Sequence, residues 1–112
     1  RVLHLGRTHR SDVATEVLEA GGLILGSPTI NNQMFPTLAD VLTYLRGLKP
    51  RGLRGGCFGS FGWSGEAVSQ LEEILDQMKV ERVAESVAAR FVPDRGKLAD
   101  CVSLGTAVAE SL

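Results

Sequence analysis

Gly55-Gly56-Cys57-Phe58-Gly59-Ser60-Phe61-Gly62-Trp63-Ser64-Gly65 reads as a strand that turns straight into a helix. Gly55 to Ser60 is a short, mostly apolar run. Gly59, Gly62 and Gly65 then let the backbone turn sharply and approach something closely. Ser64 is placed to cap the following helix, and Glu66 falls in its first turn, where negative charge suits the helix dipole. That helix carries Ala67, Val68, Leu71, Ile74, Leu75 and Met78, the clearest helical period in the chain. A strand-to-helix turn in an α/β protein lies at the carboxyl edge of the sheet, where ligands bind. Trp63, the single tryptophan, rides on this turn. Its face suits a flat ring; the plain alternative is an indole folded back onto the domain.

Outward from this turn the same alternation repeats. Val2-Leu3-His4-Leu5 reads as a strand ended by Gly6, followed by a polar turn, Arg7 to Arg10. Ser11 and Asp12 can cap a helix through Ala20 that buries Val13, Ala14, Val17 and Leu18. Leu23-Ile24-Leu25 is a second strand, apolar throughout as in a central parallel strand covered on both faces. A polar loop, Ser27 to Gln33, follows. Pro36 opens a helix with Leu38, Val41, Leu42, Leu45 and Leu48 on one face, ended by Gly47 and Pro50. Lys49 to Arg54 is a solvated basic connection. Val83 to Phe91 suits an edge strand. Asp94 caps a last helix with Leu98, Cys101, Val102, Gly105, Val108, Ala109 and Leu112 on its buried face. Strand then helix, four times over, predicts an α/β domain across residues 1–112, with a parallel sheet, right-handed crossovers and helices on both faces.

Bulk properties narrow the function. The formal net charge is −1, so no basic excess points to nucleic acid. No apolar run is long enough to span a membrane and no leader resembles a signal peptide. Cys57 and Cys101 have no CxxC spacing and read as buried thiols of a reducing, cytoplasmic compartment.

If the second and third strands are neighbours, two loops face each other at one edge. Ser27, Pro28, Thr29, Ile30, Asn31 and Asn32 form one, and Ser60, Phe61, Gly62, Trp63, Ser64 and Gly65 the other. Together they offer an aromatic face, hydroxyls, amides and backbone donors, the wall chemistry of a planar, heteroatom-rich ligand. Neither holds a carboxylate pair, a nucleophile beside a histidine, or a metal-ligand cluster, so no catalytic or metal residue is assigned. His4 reads as a core or edge histidine and His9 as solvated. Thr8, Arg10 and Ser11 precede a helix start and could hold an anion. Met34 and Phe35 either pack over a ligand or staple the next helix.

Gly26-Ser27-Pro28-Thr29-Ile30-Asn31-Asn32 and Phe58-Gly59-Ser60-Phe61-Gly62-Trp63-Ser64-Gly65 closely resemble the flavodoxin-like domain of flavodiiron proteins, or A-type flavoproteins, which include flavorubredoxin. His9-Arg10-Ser11-Asp12, Phe35-Pro36-Thr37, Leu42-Thr43-Tyr44-Leu45, Gly47-Leu48-Lys49-Pro50 and Phe91-Val92-Pro93 match as well. The resemblance implies a three-layer flavodoxin-like fold and non-covalent FMN. The loop from Ser27 to Asn32 would line one side of the isoalloxazine. The loop from Ser60 to Gly65 would line the other, with Trp63 against the ring. It also implies electron transfer from a donor such as rubredoxin to a diiron site that reduces oxygen or nitric oxide. That site lies in a separate β-lactamase-like domain, reached across a head-to-tail homo-oligomer.

One departure shapes the expectations. In the family the first strand is central and the loop after it cradles the FMN phosphate, whereas this sequence opens at what resembles the second strand. Four strands are therefore expected, and weak or absent FMN binding by this chain alone. Val2–Leu5 would then slide over to pair with the Leu23 strand, or chains would associate through the exposed edge. Two rival readings stay open: a degenerate binding or dimerisation domain without flavin, and a free-standing flavodoxin-like quinone reductase.

Overall fold

A computed structural model describes all residues, 1–112. Four helices, α1 (Arg10–Glu19), α2 (Pro36–Leu48), α3 (Glu66–Gln77) and α4 (Arg95–Ser111), surround one sheet. Its strands are β1 (Gly22–Ile30), β2 (Gln33–Met34), β3 (Arg54–Phe61), β4 (Glu81–Arg82) and β5 (Val87–Arg90). The order is β2-β1-β3-β4, with β5 also paired to β3. β1 lies parallel to β3 from Gly22↔Arg54 to Pro28↔Ser60. Of the expected edge strand Val83–Phe91 only β5 forms; β4 precedes it, and the two pair with opposite ends of β3.

Side chains alternate across β3, which sets the layers. Cys57 belongs to a large core with Leu38, Val41, Leu42 and Leu45 of α2 and Ala67, Val68, Leu71 and Leu75 of α3. Val13, Ala14 and Val17 of α1 join the same core. Gly56 faces the other way, where a Cβ would meet the Leu104 side chain of α4 at 2.6 Å. There Val87, Leu104 and Val108 form a small second core. Helices therefore cover both faces, as the alternation of elements predicts.

Val2–Leu5 is not a strand. It does not slide over to pair with β1, and no strand lies alongside to close a ladder. The segment turns instead, the Arg7 N–H donating to the His4 carbonyl at 2.9 Å, with Leu3 and Leu5 resting against the core. His4 is exposed, its Nδ1 accepting from the Gly6 N–H. The edge of β1 from Gly22 to Pro28, opposite β3, carries no strand. β1 is correspondingly buried on one face only: Leu25 and Ser27 point inward while Ile24 is 38% exposed.

Several helix details differ from the periodic reading. His9, not Ser11 or Asp12, caps α1, its Nδ1 accepting from the Ser11 N–H at 3.1 Å. Leu18 and Leu48 lie exposed at the margins of their helices, past the reach of the core. Gly65 rather than Ser64 is the N-cap of α3, because the Ser64 hydroxyl is engaged elsewhere. Asp94 caps α4 as read, accepting from the Lys97 N–H at 2.8 Å. The buried face of α4 is Leu104 and Val108; Leu98, Val102 and Leu112 are exposed because α4 covers only part of its side of the sheet.

Candidate cofactor site

Because β1 and β3 are parallel neighbours, their carboxyl ends emerge side by side and deliver both loops to one edge. β1 runs further than the Leu23–Leu25 core suggests, so Ser27, Pro28, Thr29 and Ile30 are strand residues, not loop. Asn31 and Asn32 then close a two-residue hairpin onto β2, with Thr29 opposite Met34 and Ile30 opposite Gln33. Both asparagines have positive φ, 51° and 60°. That is the backbone of the turn that matches strand twist, and asparagine tolerates it. Replacing Asn32 with glycine should leave stability equal or higher, whereas Asn32→Val should cost about 1–2 kcal/mol; thermal melts of the two variants check this.

The hydroxyls on this first wall divide into two kinds. Ser27 is buried and internally satisfied: it donates to the Pro28 carbonyl at 2.7 Å and accepts from the Phe35 N–H at 2.8 Å. It shapes the wall and does not face a ligand. Thr29 Oγ1 is buried with no hydrogen-bond partner, a costly state for a hydroxyl. Met34 is buried in the main core and Phe35 is partly exposed, so Met34 anchors the hairpin.

The second wall is the turn after β3. Trp63 is 92% exposed, so the indole does not fold back onto the domain. The Ser64 hydroxyl donates to the Glu66 carboxylate at 2.6 Å and lies 3.4 Å from the Asn32 amide oxygen. Gln70, one turn further along α3, accepts from the Met34 N–H at 2.8 Å and donates to the Asn32 carbonyl at 3.4 Å. Ser64 and Gln70 thereby tie the two walls together.

Two contributors escape a reading of the two loops alone. Gln70 sits inside a helical period and gives no sequence sign of reaching the other loop. Phe91 follows β5, which is parallel to β3, so it emerges at the same edge beside Gly62. The topological signal was present: an aromatic after a parallel strand must arrive there.

The anion pocket suggested by Thr8, Arg10 and Ser11 is not free. Thr8 donates to the His4 carbonyl, Arg10 pairs with Asp40 at 3.1 Å and lies 5.5 Å from the Tyr44 ring centre, and the Ser11 N–H donates to His9. No group of three or more His, Cys, Asp or Glu side chains is placed to hold a metal ion.

Cys57 is fully buried in the core beside Ser86 Oγ, at 3.2 Å, and burial pushes its thiol pKa up despite that hydrogen bond. A thiol titrating higher when folded contributes stability below its unfolded pKa and loses it as pH rises through the folded value. Cys101 is half-buried. A thiol reagent at mildly alkaline pH should therefore label Cys101 quickly and Cys57 only on unfolding; equal rates for both would contradict the burial of Cys57.

No protein-family model matches the chain. A nitric oxide reductase of Moorella thermoacetica is 38% identical over 110 residues, 97% of this chain and 28% of that protein. The structure of a rubredoxin oxygen:oxidoreductase from Desulfovibrio gigas superposes on 99% of the chain with a TM-score of 0.96 and 35% identity, over 28% of its own length. The chain is a flavodoxin-like domain of the flavodiiron type. A flavodoxin from the domain Archaea has the same fold, with TM-score 0.84 and 26% identity over 99% of the chain and 76% of that protein. The chain spans about a quarter of the length of the curated flavodiiron relatives it matches.

The residues at the edge fit the ring of a flavin better than its phosphate. Trp63 offers the open aromatic face that a planar ligand requires, while the Thr29 hydroxyl is buried on the inward side of β1. Neither wall adds a cationic side chain or a spare cluster of hydroxyls for an anion.

Proposed function

We propose that this flavodiiron-type domain is an FMN-binding electron-transfer module of an oxygen or nitric oxide reductase. The observation that carries the reading is the exposed Trp63 face standing beside the Asn31–Asn32 hairpin at the carboxyl edge, to which the neighbouring Ser64 connects it. FMN, when bound, supplies one- and two-electron transfer. In this chain Trp63 would stack on the ring and exclude water from one side, and the hairpin backbone would close the opposite side. Electrons would come from a donor such as rubredoxin. They would leave for a diiron centre in a separate β-lactamase-like domain, with a homo-oligomer bringing the two together.

The test is a titration with FMN and with riboflavin, followed by flavin fluorescence. Both should bind weakly and saturably, with similar affinity, because recognition lies in the ring; colour should largely be lost on desalting. Absence of any saturable binding would overturn the assignment. Support would then pass to the second reading, a binding or dimerisation domain. That reading is favoured by the open edge of β1 from Gly22 to Pro28. No helix is long and apolar enough to cross a membrane.

A further inference from the structure

Phe91 has a left-handed backbone, φ 58°. An L-residue there crowds its Cβ against the carbonyl oxygen, and a bulky one stays only where its surroundings hold it. The other non-glycine residues with positive φ have ordinary uses. Asn31 and Asn32 close the hairpin, while Lys49 and Lys79 follow helices α2 and α3. Phe91 does neither.

Two contacts hold it. Its N–H donates to the Phe61 carbonyl at 2.7 Å, one step beyond the Phe61↔Arg90 register of β3 and β5. Its ring lies over Gly62, where a Cβ would come within 3.3 Å of ring Cε1. Burial does not explain the arrangement, because Phe91 is 66% exposed. The Arg90 guanidinium lies 5.5 Å from the ring centre and adds a third restraint. The unfavourable backbone therefore places an aromatic ring on the residue immediately before Trp63.

The geometry points to Phe91 as a positioning residue for the Trp63 turn. Its hydrogen bond to Phe61 and its ring over Gly62 hold the backbone at the two residues that lead into Trp63. They thereby set the direction in which the indole stands. Glycine at 62 is the counterpart, since a Cβ there would sit 3.3 Å from the ring and push it outward by a few tenths of an ångström. The consequence for flavin affinity rests on the FMN reading; the effect on Trp63 does not.

Trp63 is the single tryptophan of the chain, so its fluorescence reports the turn without any ligand. Steady-state anisotropy and acrylamide quenching are compared for the wild type, Phe91→Ala, Phe91→Gly and Phe91→Tyr. Glycine accepts the left-handed backbone without strain, so Phe91→Gly separates loss of the ring from loss of fold. Phe91→Ala and Phe91→Gly should both lower the anisotropy and raise quenching, while Phe91→Tyr matches the wild type. FMN affinity should fall about tenfold in the first two variants. In a double-mutant cycle, Gly62→Ala should perturb the anisotropy less when Phe91 is already alanine. Wild-type anisotropy and quenching in Phe91→Gly would overturn the proposal, even if its melting temperature changes. If the Trp63 signals respond as described but the wild type takes up no FMN, the positioning role stands and the flavin assignment falls.

Discussion

Trp63→Ala weakens flavin binding by about ten- to a hundredfold while leaving the melting temperature nearly unchanged. Stacking of a flat heterocycle on an aromatic side chain is worth about 1–3 kcal/mol by alanine substitution, and about 1.4 kcal/mol is tenfold in affinity. The stability side of the expectation follows from exposure. An indole that is 92% exposed covers almost no core, and a surface change of this kind falls within about 0.5 kcal/mol. Trp63→Phe, with a smaller ring, should lose less affinity than alanine. Flavin fluorescence titration and thermal melting measure the two quantities separately. Unchanged affinity in the alanine variant would mean that the ring does not rest on Trp63, and the carboxyl-edge site would have to be abandoned.

Leu71→Ala acts on α3, the helix that follows the Trp63 turn, and should be the most damaging single truncation for stability. Leu71 is completely buried at the centre of α3, in the core shared with α2 and β3. Removing such a side chain costs about 2–5 kcal/mol, the transfer free energy plus the cavity left behind. Domains of this size are stable by only about 5–15 kcal/mol, so a large fraction is lost. The urea midpoint should fall with little change in slope, which distinguishes lost stability from an altered unfolded state. A loss below about 1 kcal/mol would show that α3 does not pack where the structure puts it. Flavin affinity at low temperature should change much less than stability, because Leu71 lies away from the Trp63 turn.

The parts of the fold that the sequence made legible are those governed by local pattern and turn chemistry. The apolar period of α3, Pro36 at the start of α2 and the Asp94 cap all depend on residues a few positions apart. What escaped depends on partners far along the chain. Val2–Leu5 has the composition of a strand, yet a strand exists only where a neighbour completes its hydrogen bonds. Ser64 looked like a cap, but Glu66 competes for its hydroxyl. Leu98 and Val102 follow helical spacing, but α4 meets the sheet through Leu104 and Val108 instead. At the candidate site, the placing of the two loops side by side was legible from the strand order. Ser27 turning inward was not, because its partner is the backbone of Phe35 on the far side of the hairpin. Gln70 was invisible for the same reason; the place of Phe91 at the edge follows from a parallel β5, but its left-handed backbone has no signature in the side chain.

The bridges from Ser64 and Gln70 to the Asn31–Asn32 hairpin constrain how this domain can be re-engineered. A loop transplanted from another flavodoxin-like protein, to retune a redox potential for example, would arrive without its cross-partner. A hairpin of different length would carry the residue-34 N–H away from the Gln70 side-chain carbonyl that now accepts it, and one without asparagine at 32 would remove the oxygen beside Ser64. The two walls are thus one inheritable module. Exchange of the Ser27–Met34 segment should succeed only when positions 64 and 70 travel with it, and libraries that vary one loop alone will mostly sample broken clamps.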